Sequence, residues 1–412
     1  MREGWELRKI ADIVEPVSTI DPRKMPGADF TYIDVSAVSR QSHEVVETSL
    51  IRGKDAPSRA RRLVRAGDVI FATIRPTLQR IAEIPPALDG AVCSTGYFVL
   101  RPKARVLTRF LFYSLFSERF SKKIAGLQRG AAYPAVSDAD VKAREILVPP
   151  LPEQKRIVAI LDEAFAGIAT AVANTEKNLA NARELFESHL RAVLKQELDR
   201  SPEVPIEKYI EFIDYRGKTP QKTASGLRLI TAKNVRMGFL QREPEEFVDP
   251  EIYDDWMTRG IPRKGDVLFT TEAPLGLVCQ LDTDEKVVFA QRIITMQPDR
   301  DVIDPVYLKF ALRSAPMQAR IQEKATGATT TGIKASLLKT IKLPLPAMSD
   351  QMVIAERAGS LEEESKHLET IYEEKLAALY ELKQSLLQNA FSGELTAGKA
   401  ASDAVRQVEE IA

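Results

Sequence analysis

Glu153-Gln154-Lys155-Arg156-Ile157-Val158-Ala159-Ile160-Leu161-Asp162-Glu163-Ala164-Phe165 opens the stretch whose pattern governs the architecture of this chain. From Glu153 to Leu198 there is no proline and a single glycine, Gly167. Apolar residues return every seventh position at Val158, Phe165, Val172, Leu179, Phe186 and Val193. A second series three residues on holds Leu161, Ile168, Thr175, Ala182 and His189. Such an a/d heptad seam predicts a coiled-coil helix. Asp350 to Asn389 does likewise, with Ile354, Leu361, Leu368 and Leu382 beside Ala358, Tyr372, Leu379 and Leu386, interrupted at Lys375. A helix of about 40 residues is roughly 60 Å long. Neither helix can bury its stripe alone, because isolated helices are marginal in water. The economical expectation is that the two pack on each other, antiparallel, since a globular block lies between them in sequence. Packing of each helix against its own block is the alternative.

Outward from these helices the chain repeats itself. Gly67-Asp68-Val69-Ile70-Phe71-Ala72-Thr73 returns as Gly265-Asp266-Val267-Leu268-Phe269-Thr270-Thr271, offset by 198. Trp5-Glu6-Leu7-Arg8-Lys9-Ile10 answers to Val204-Pro205-Ile206-Glu207-Lys208-Tyr209. Gln154, Ile157, Ser188, Leu190, Glu197 and Leu198 match Gln351, Ile354, Ser385, Leu387, Glu394 and Leu395 at an offset of 197. A period this long is no solenoid. It predicts a duplicated domain-plus-helix unit, suited to a partner with two-fold character of its own, such as duplex DNA. Five segments follow: blocks at 1–152 and 201–349, helices at 153–200 and 350–396, and a small, polar, frayed tail at 397–412. Within the first block, short apolar runs at 68–73 and 96–100 read as strands and Leu107 to Ile124 as one helical stretch. The fold class expected is α+β, two mixed α/β domains on a helix pair.

The totals are those of an ordinary globular protein, with 44% hydrophobic and 28% charged residues. No uninterrupted apolar run approaches the ~18 residues of a membrane span. Met1-Arg2-Glu3-Gly4-Trp5 has no secretory layout, so a cytoplasmic protein without a membrane partner is expected. Cys93 and Cys279 do not match in the repeat, which favours free thiols over a disulfide. Net charge is zero but unevenly spread. Residues 1–152 hold 24 Lys/Arg against 17 Asp/Glu, 201–349 hold 21 against 20, and 350–412 hold 6 against 13. A local basic field, not the total, attracts phosphate.

The motifs at the segment borders resemble those of the specificity subunit of a Type I restriction-modification system. Tyr215-Arg216-Gly217-Lys218-Thr219-Pro220 is similar to the family's opening pattern. Pro149-Pro150-Leu151-Pro152-Glu153-Gln154 and Pro344-Leu345-Pro346-Ala347-Met348-Ser349-Asp350-Gln351 resemble its hinge, the second with two extra residues before the glutamine. Ser385-Leu386-Leu387-Gln388-Asn389-Ala390-Phe391-Ser392-Gly393-Glu394-Leu395 resembles its closing string. The resemblance implies two target-recognition domains held apart by an antiparallel coiled coil and reading a split sequence in double-stranded DNA. It also implies two methyltransferase (modification) subunits as partners, using S-adenosylmethionine, and a nuclease and translocase (restriction) subunit as an optional third. This chain would supply address rather than chemistry, with no cofactor of its own.

Candidate DNA contacts lie mostly in basic or donor-rich loops. Ile51 to Arg65 holds six basic residues and one acid, among them Arg59, Arg61 and Arg62; phosphate clamping by counterion release explains such density, and a solvated loop is the rival account. Thr73-Ile74-Arg75-Pro76-Thr77-Leu78-Gln79-Arg80 is similar to strings that sit near DNA in the family, and Arg75 or Arg80 offers the forked donors that suit guanine. Its repeat partner from Thr271 lacks both arginines, so the two domains should read different half-sites. Gln128, Arg129 and Tyr133 precede the first hinge as Thr329, Thr330 and Thr331 precede the second, in small, flexible segments that let backbone approach DNA. Lys218, Lys233, Asn234, Arg236 and Arg292 complete the list.

Enzyme signals fail. Gly217-Lys218-Thr219 resembles the tail of a phosphate loop, but Phe212 stands where the motif needs glycine. His43, His189 and His367 are scattered, without zinc spacing and without a catalytic or metal constellation. Two readings remain: a non-catalytic DNA specificity subunit, and a coiled-coil scaffold whose end domains bind proteins.

Overall fold

The computed structural model describes residues 4–198, 200–215, 219–290, 292–327 and 330–396; the expected tail at 397–412 lies outside them. The chain falls into two compact units, Met1–Glu176 with Glu373–Ala412, and Lys177–Tyr372. Two long helices, a central one at Leu151–Leu198 and a distal one at Met348–Ser392, run through both units. The central helix opens on Pro152, whose missing N–H costs nothing in a first turn.

Within unit 1, Glu153 pairs with Thr396 and Lys383 lies 5.3 Å over the Phe165 ring. Within unit 2, Arg183 Nε meets Glu369 Oε2 at 2.8 Å. As one helix advances its partner recedes, so the coiled coil is antiparallel. The buried line on the central helix is Ile157, Leu161, Ala164, Ile168, Ala171 and Thr175, continued by Ala182, Phe186, Leu190 and Leu194. The first series expected from the heptads joins that line at Phe186, whereas its earlier members Val158, Phe165 and Val172 sit one position off, half-buried against the core of the first recognition block. His189 is exposed, and Leu368 is exposed on the distal helix. Although the central helix is long and apolar enough by composition to cross a membrane, its stripe is spent on Leu379, Leu382, Leu386 and Ala390.

The repeat is reproduced strand by strand. Unit 1 holds an antiparallel sheet ordered Val14–Glu15, Tyr97–Pro102, Val69–Ala72, Ile81–Glu83. Unit 2 holds Ile210–Asp214, Ile293–Pro298, Val267–Thr270, Val278–Gln280 in the same order. A second sheet in each contains one parallel pair, Asp29–Ile33 with Val92–Ser94 and Leu227–Ile230 with Val287–Phe289. The edges differ: Ala60–Leu63 joins the first, whereas Lys222–Thr223 joins the second. The single helix expected from Leu107 to Ile124 is two, Thr108–Ser114 and Glu118–Ala125. Ser117 breaks it by capping the second, its Oγ accepting from Phe120 N–H and donating to the Ser114 carbonyl.

The hinge glutamines explain why the border motifs recur. Gln154 is fully buried, its Oε1 accepting from Leu107 N–H at 2.8 Å and its Nε2 donating to the carbonyls of Arg105 and Pro149. Gln351 does the same with Asp304 N–H at 2.9 Å and the carbonyls of Val302 and Pro346. The two extra residues in the second hinge leave this bond set intact. Each glutamine ties a long helix to the domain before it, using both faces of one amide.

Candidate nucleic-acid interface

In each unit the turn after the central strand lies beside the segment before the hinge. Ile74 and Arg129 both bridge to Ala135, and Glu272 and Thr326 both bridge to Gly332. Val136 N–H donates to the Thr73 carbonyl as Ile333 N–H does to Thr271, each at 2.9 Å. Arg75 has φ +50 and its repeat equivalent Ala273 has φ +46, a left-handed conformation rare for residues with a side chain. A left-handed residue before a proline thus stands at the same place in both units, arginine in one and alanine in the other, within turns of different length.

Unit 1 brings Arg75, Arg129 and Tyr133 together. The Arg75 guanidinium lies 5.1 Å over the Tyr133 ring and donates to the Ala132 carbonyl, and Tyr133 is 70% exposed. Arg129 pairs with Asp140 at 3.0 Å and Arg62 with Asp138 at 2.6 Å, so both arginines meet the start of the short helix Asp138–Lys142. Hydrogen bonds from Ser137, reinforced by Arg129, hold the Asp140 carboxyl at about 2. Each guanidinium has five N–H donors, so one carboxylate leaves others for phosphate. Arg59 is exposed. Arg61 is half-buried and paired with Asp21. Gln128 donates to the Ala125 carbonyl.

Three other candidates, Thr73, Thr271 and Asn234, are buried, against the expectation that they reach DNA. Thr73 is buried and donates to the Gly96 carbonyl, while Thr271 is buried between Arg292 and Ile333. Arg80 is half-buried; its Nη1 donates to the carbonyls of Ser36 and Val38, fastening the 36–38 segment while the guanidinium carries further N–H groups. Asn234 is fully buried: its Nδ2 donates to the carbonyls of Gln241, Arg242 and Pro244, and its Oδ1 accepts from Thr231 N–H. An amide spent on four local bonds has none left for a base. These residues shape the loops rather than tip them.

Unit 2 places Lys233, Arg236 and Arg292 around a cavity of about 570 Å³ with Thr219, Lys222 and Thr231. Lys233 and Lys222 both face Glu246, at 3.9 and 2.7 Å, and Arg292 pairs with Glu272 at 3.0 Å. Arg236 donates to the Val235 carbonyl. Thr330 and Thr331 are exposed. Lys218 and Thr329 lie outside the described residues. Lys222 and Thr231 were missed by sequence reasoning, although Lys222 follows the Tyr215–Pro220 string closely enough to have been weighed with it.

Residues 2–179 and 254–374 match a family model described as Type I restriction modification DNA specificity domain. The chain is 25% identical over 421 residues to the EcoKI specificity subunit of Escherichia coli strain K12, spanning 96% of this chain and 90% of that one. It is 25% identical over 276 residues to the EcoBI specificity subunit of Escherichia coli, across 61% of this chain and 58% of the relative. Among solved structures, a chain described under the complex assembly and conformational transition of the type I R-M system aligns with a TM-score of 0.81 at 27% identity, covering 96% of this chain and 99% of that one. The crystal structure of the HsdS subunit from Thermoanaerobacter tengcongensis aligns with a TM-score of 0.60 at 27% identity, over 96% and 98% of the two chains.

Proposed function

This chain belongs to the Type I restriction-modification DNA specificity family, and from that premise we propose that it reads a bipartite sequence in duplex DNA and docks adenine methyltransferase subunits, with no catalytic step of its own. One observation carries the reading: in both units a left-handed residue before a proline adjoins the pre-hinge segment through the same pair of bridges, and the two places carry different side chains. Duplicated geometry with unlike chemistry is what two different half-sites require. In unit 1, Arg59, Arg62, Arg75, Arg129 and Tyr133 engage phosphate and base edges. In unit 2, Lys222, Lys233, Arg236, Arg292, Thr330 and Thr331 do so, joined by Lys218 and Thr329. The recognition domains correspond to 1–152 and 201–349, and the helix pair sets the unread spacer. Arginine supplies bidentate bonds to guanine, and the threonine hydroxyls suit either phosphate or base.

The test is co-purification with the neighbouring modification subunit, followed by genome-wide mapping of methylated adenines. A two-part motif with a constant gap is expected. A contiguous motif, or methylation unchanged when this chain is deleted, overturns the reading. The scaffold alternative is separated by binding to random duplex DNA, where a DNA reader loses affinity steeply with salt and a protein scaffold shows no such slope.

A further inference from the structure

The loop from Ala232 to Gln241 has two working sides. One brings Lys233 and Arg236 to the cavity they share with Lys222 and Arg292. The other rests on the distal helix through Gly238, whose N–H donates to the Val278 carbonyl at 2.7 Å. Gly238 has φ +92, and a Cβ there would lie 2.6 Å from Glu362 Oε1 and 2.9 Å from Arg313 Nη1. Beneath it Glu362 accepts from Lys309 Nζ at 2.7 Å and from Arg313 Nη1 at 2.5 Å, all three side chains nearly buried. Arg313 stacks 5.2 Å from the Phe186 ring, and Lys366 lies 5.9 Å from Phe239 at the rim of the loop.

The equivalent place in unit 1 holds a loop two residues longer, which faces a cavity that His43 shares with Phe116 and Phe165. Val38 bridges to Val45 as Val235 bridges to Leu240. At the offset of 197, Phe116 stands for Arg313 and Phe165 for Glu362. His43, at φ +56, meets the Phe116 ring edge-on at 4.5 Å. Lys383, the counterpart of Phe186, faces Phe165 with no carboxylate in ion-pair range among the described residues. One loop therefore sets a histidine against an aromatic ring, and the other sits over a buried carboxylate between two cations.

We propose that Gly238, Lys309, Arg313 and Glu362 are positioning residues: they clamp the 232–241 loop at a set height on the distal helix and so fix where Lys233 and Arg236 meet DNA. His43, Phe116 and Phe165 are their aromatic counterpart in unit 1. The inference rests on the DNA-reading function proposed above. Its physical basis is the missing room above Glu362 and Arg313. A buried ion cluster holds one geometry, since moving either partner strands a charge, and a left-handed glycine at which a Cβ would have to displace that cluster transmits the geometry to the loop. Hydrogen bonds to base edges fail on displacements of this size.

The test uses the full chain and a randomised 30-base-pair duplex library, with bound duplexes sequenced and thermal unfolding followed in parallel. The unaltered chain should enrich a two-part motif. Gly238→Ala should weaken binding to the enriched duplex about tenfold, the size of one lost base contact, with base preference eroded in one half-site only. Phe239→Ala, at a half-exposed rim position that leaves the core intact, should give a weaker erosion in that same half, and His43→Ala should erode the other half. If the unaltered chain enriches a two-part motif while Gly238→Ala and Phe239→Ala leave both halves intact, or degrade both equally, the clamp is overturned. If the unaltered chain enriches nothing, the DNA-reading function itself fails.

Discussion

Replacing each hinge glutamine by leucine is the most direct probe of how the long helices hold their domains. Gln154→Leu removes one acceptor and one double donor from a fully buried site, leaving Leu107 N–H and the carbonyls of Arg105 and Pro149 without their partner. Three hydrogen bonds at about 1 kcal/mol net each give a loss of about 3 kcal/mol. Gln351→Leu removes the matching three bonds, to Asp304, Val302 and Pro346, so its cost should agree within about 1 kcal/mol. The two sites lie in separate units with no shared partner, and the double variant should be additive. Urea unfolding followed by circular dichroism measures all three, from the midpoint shift at constant slope. A loss below about 1 kcal/mol in either variant, or a large disparity between them, would refute the argument that one amide fastens each helix.

Three further outcomes are expected. Arg75→Ala and Arg129→Ala should each lower the slope of log affinity against log salt by about 1 when they hold phosphate, and an unchanged slope in both removes this surface from the interface. Glu362→Leu leaves Lys309 and Arg313 buried without their carboxylate and should destabilise by about 3–5 kcal/mol; a near-neutral thermal shift would show that the cluster is solvated. His43 is depressed from 6.5 to about 4 by burial and then by the charge of Lys383. The unfolded chain takes up that proton first, so the native state is undiminished above 6.5 and loses stability as pH falls from 6.5 to 4, by up to about 3 kcal/mol. In His43→Asn, which tolerates the left-handed backbone, this decline should flatten, as read by unfolding midpoints between pH 4 and 7.

Much of the architecture was legible because it is periodic. Heptads at 153–198 and 350–389 need only two helices to bury them, and an offset that stays near 197 can only mean a duplicated unit. The site was legible in part. Arg75, Arg129 and Tyr133 stand out by type and place, and the structure gathers them. Asn234 carried the same surface signal as a ligand-reading residue, yet it is buried and its donors go to carbonyls at 241, 242 and 244. A polar side chain's identity says what it can bond, and only the folded backbone says which acceptors arrive first.

Sequence alone determined that this protein is two copies of one domain-plus-helix unit, because apolar spacing and recurrent strings are local facts that no folding can rearrange. Tertiary structure alone decided what surrounds Phe165 and Glu362, equivalent in the repeat: a cavity shared with His43 and Phe116 at one, two buried cations at the other. Burial converts a difference of one side chain into a choice between ring contacts and a paired charge, and that choice depends on neighbours about 50 to 200 residues away.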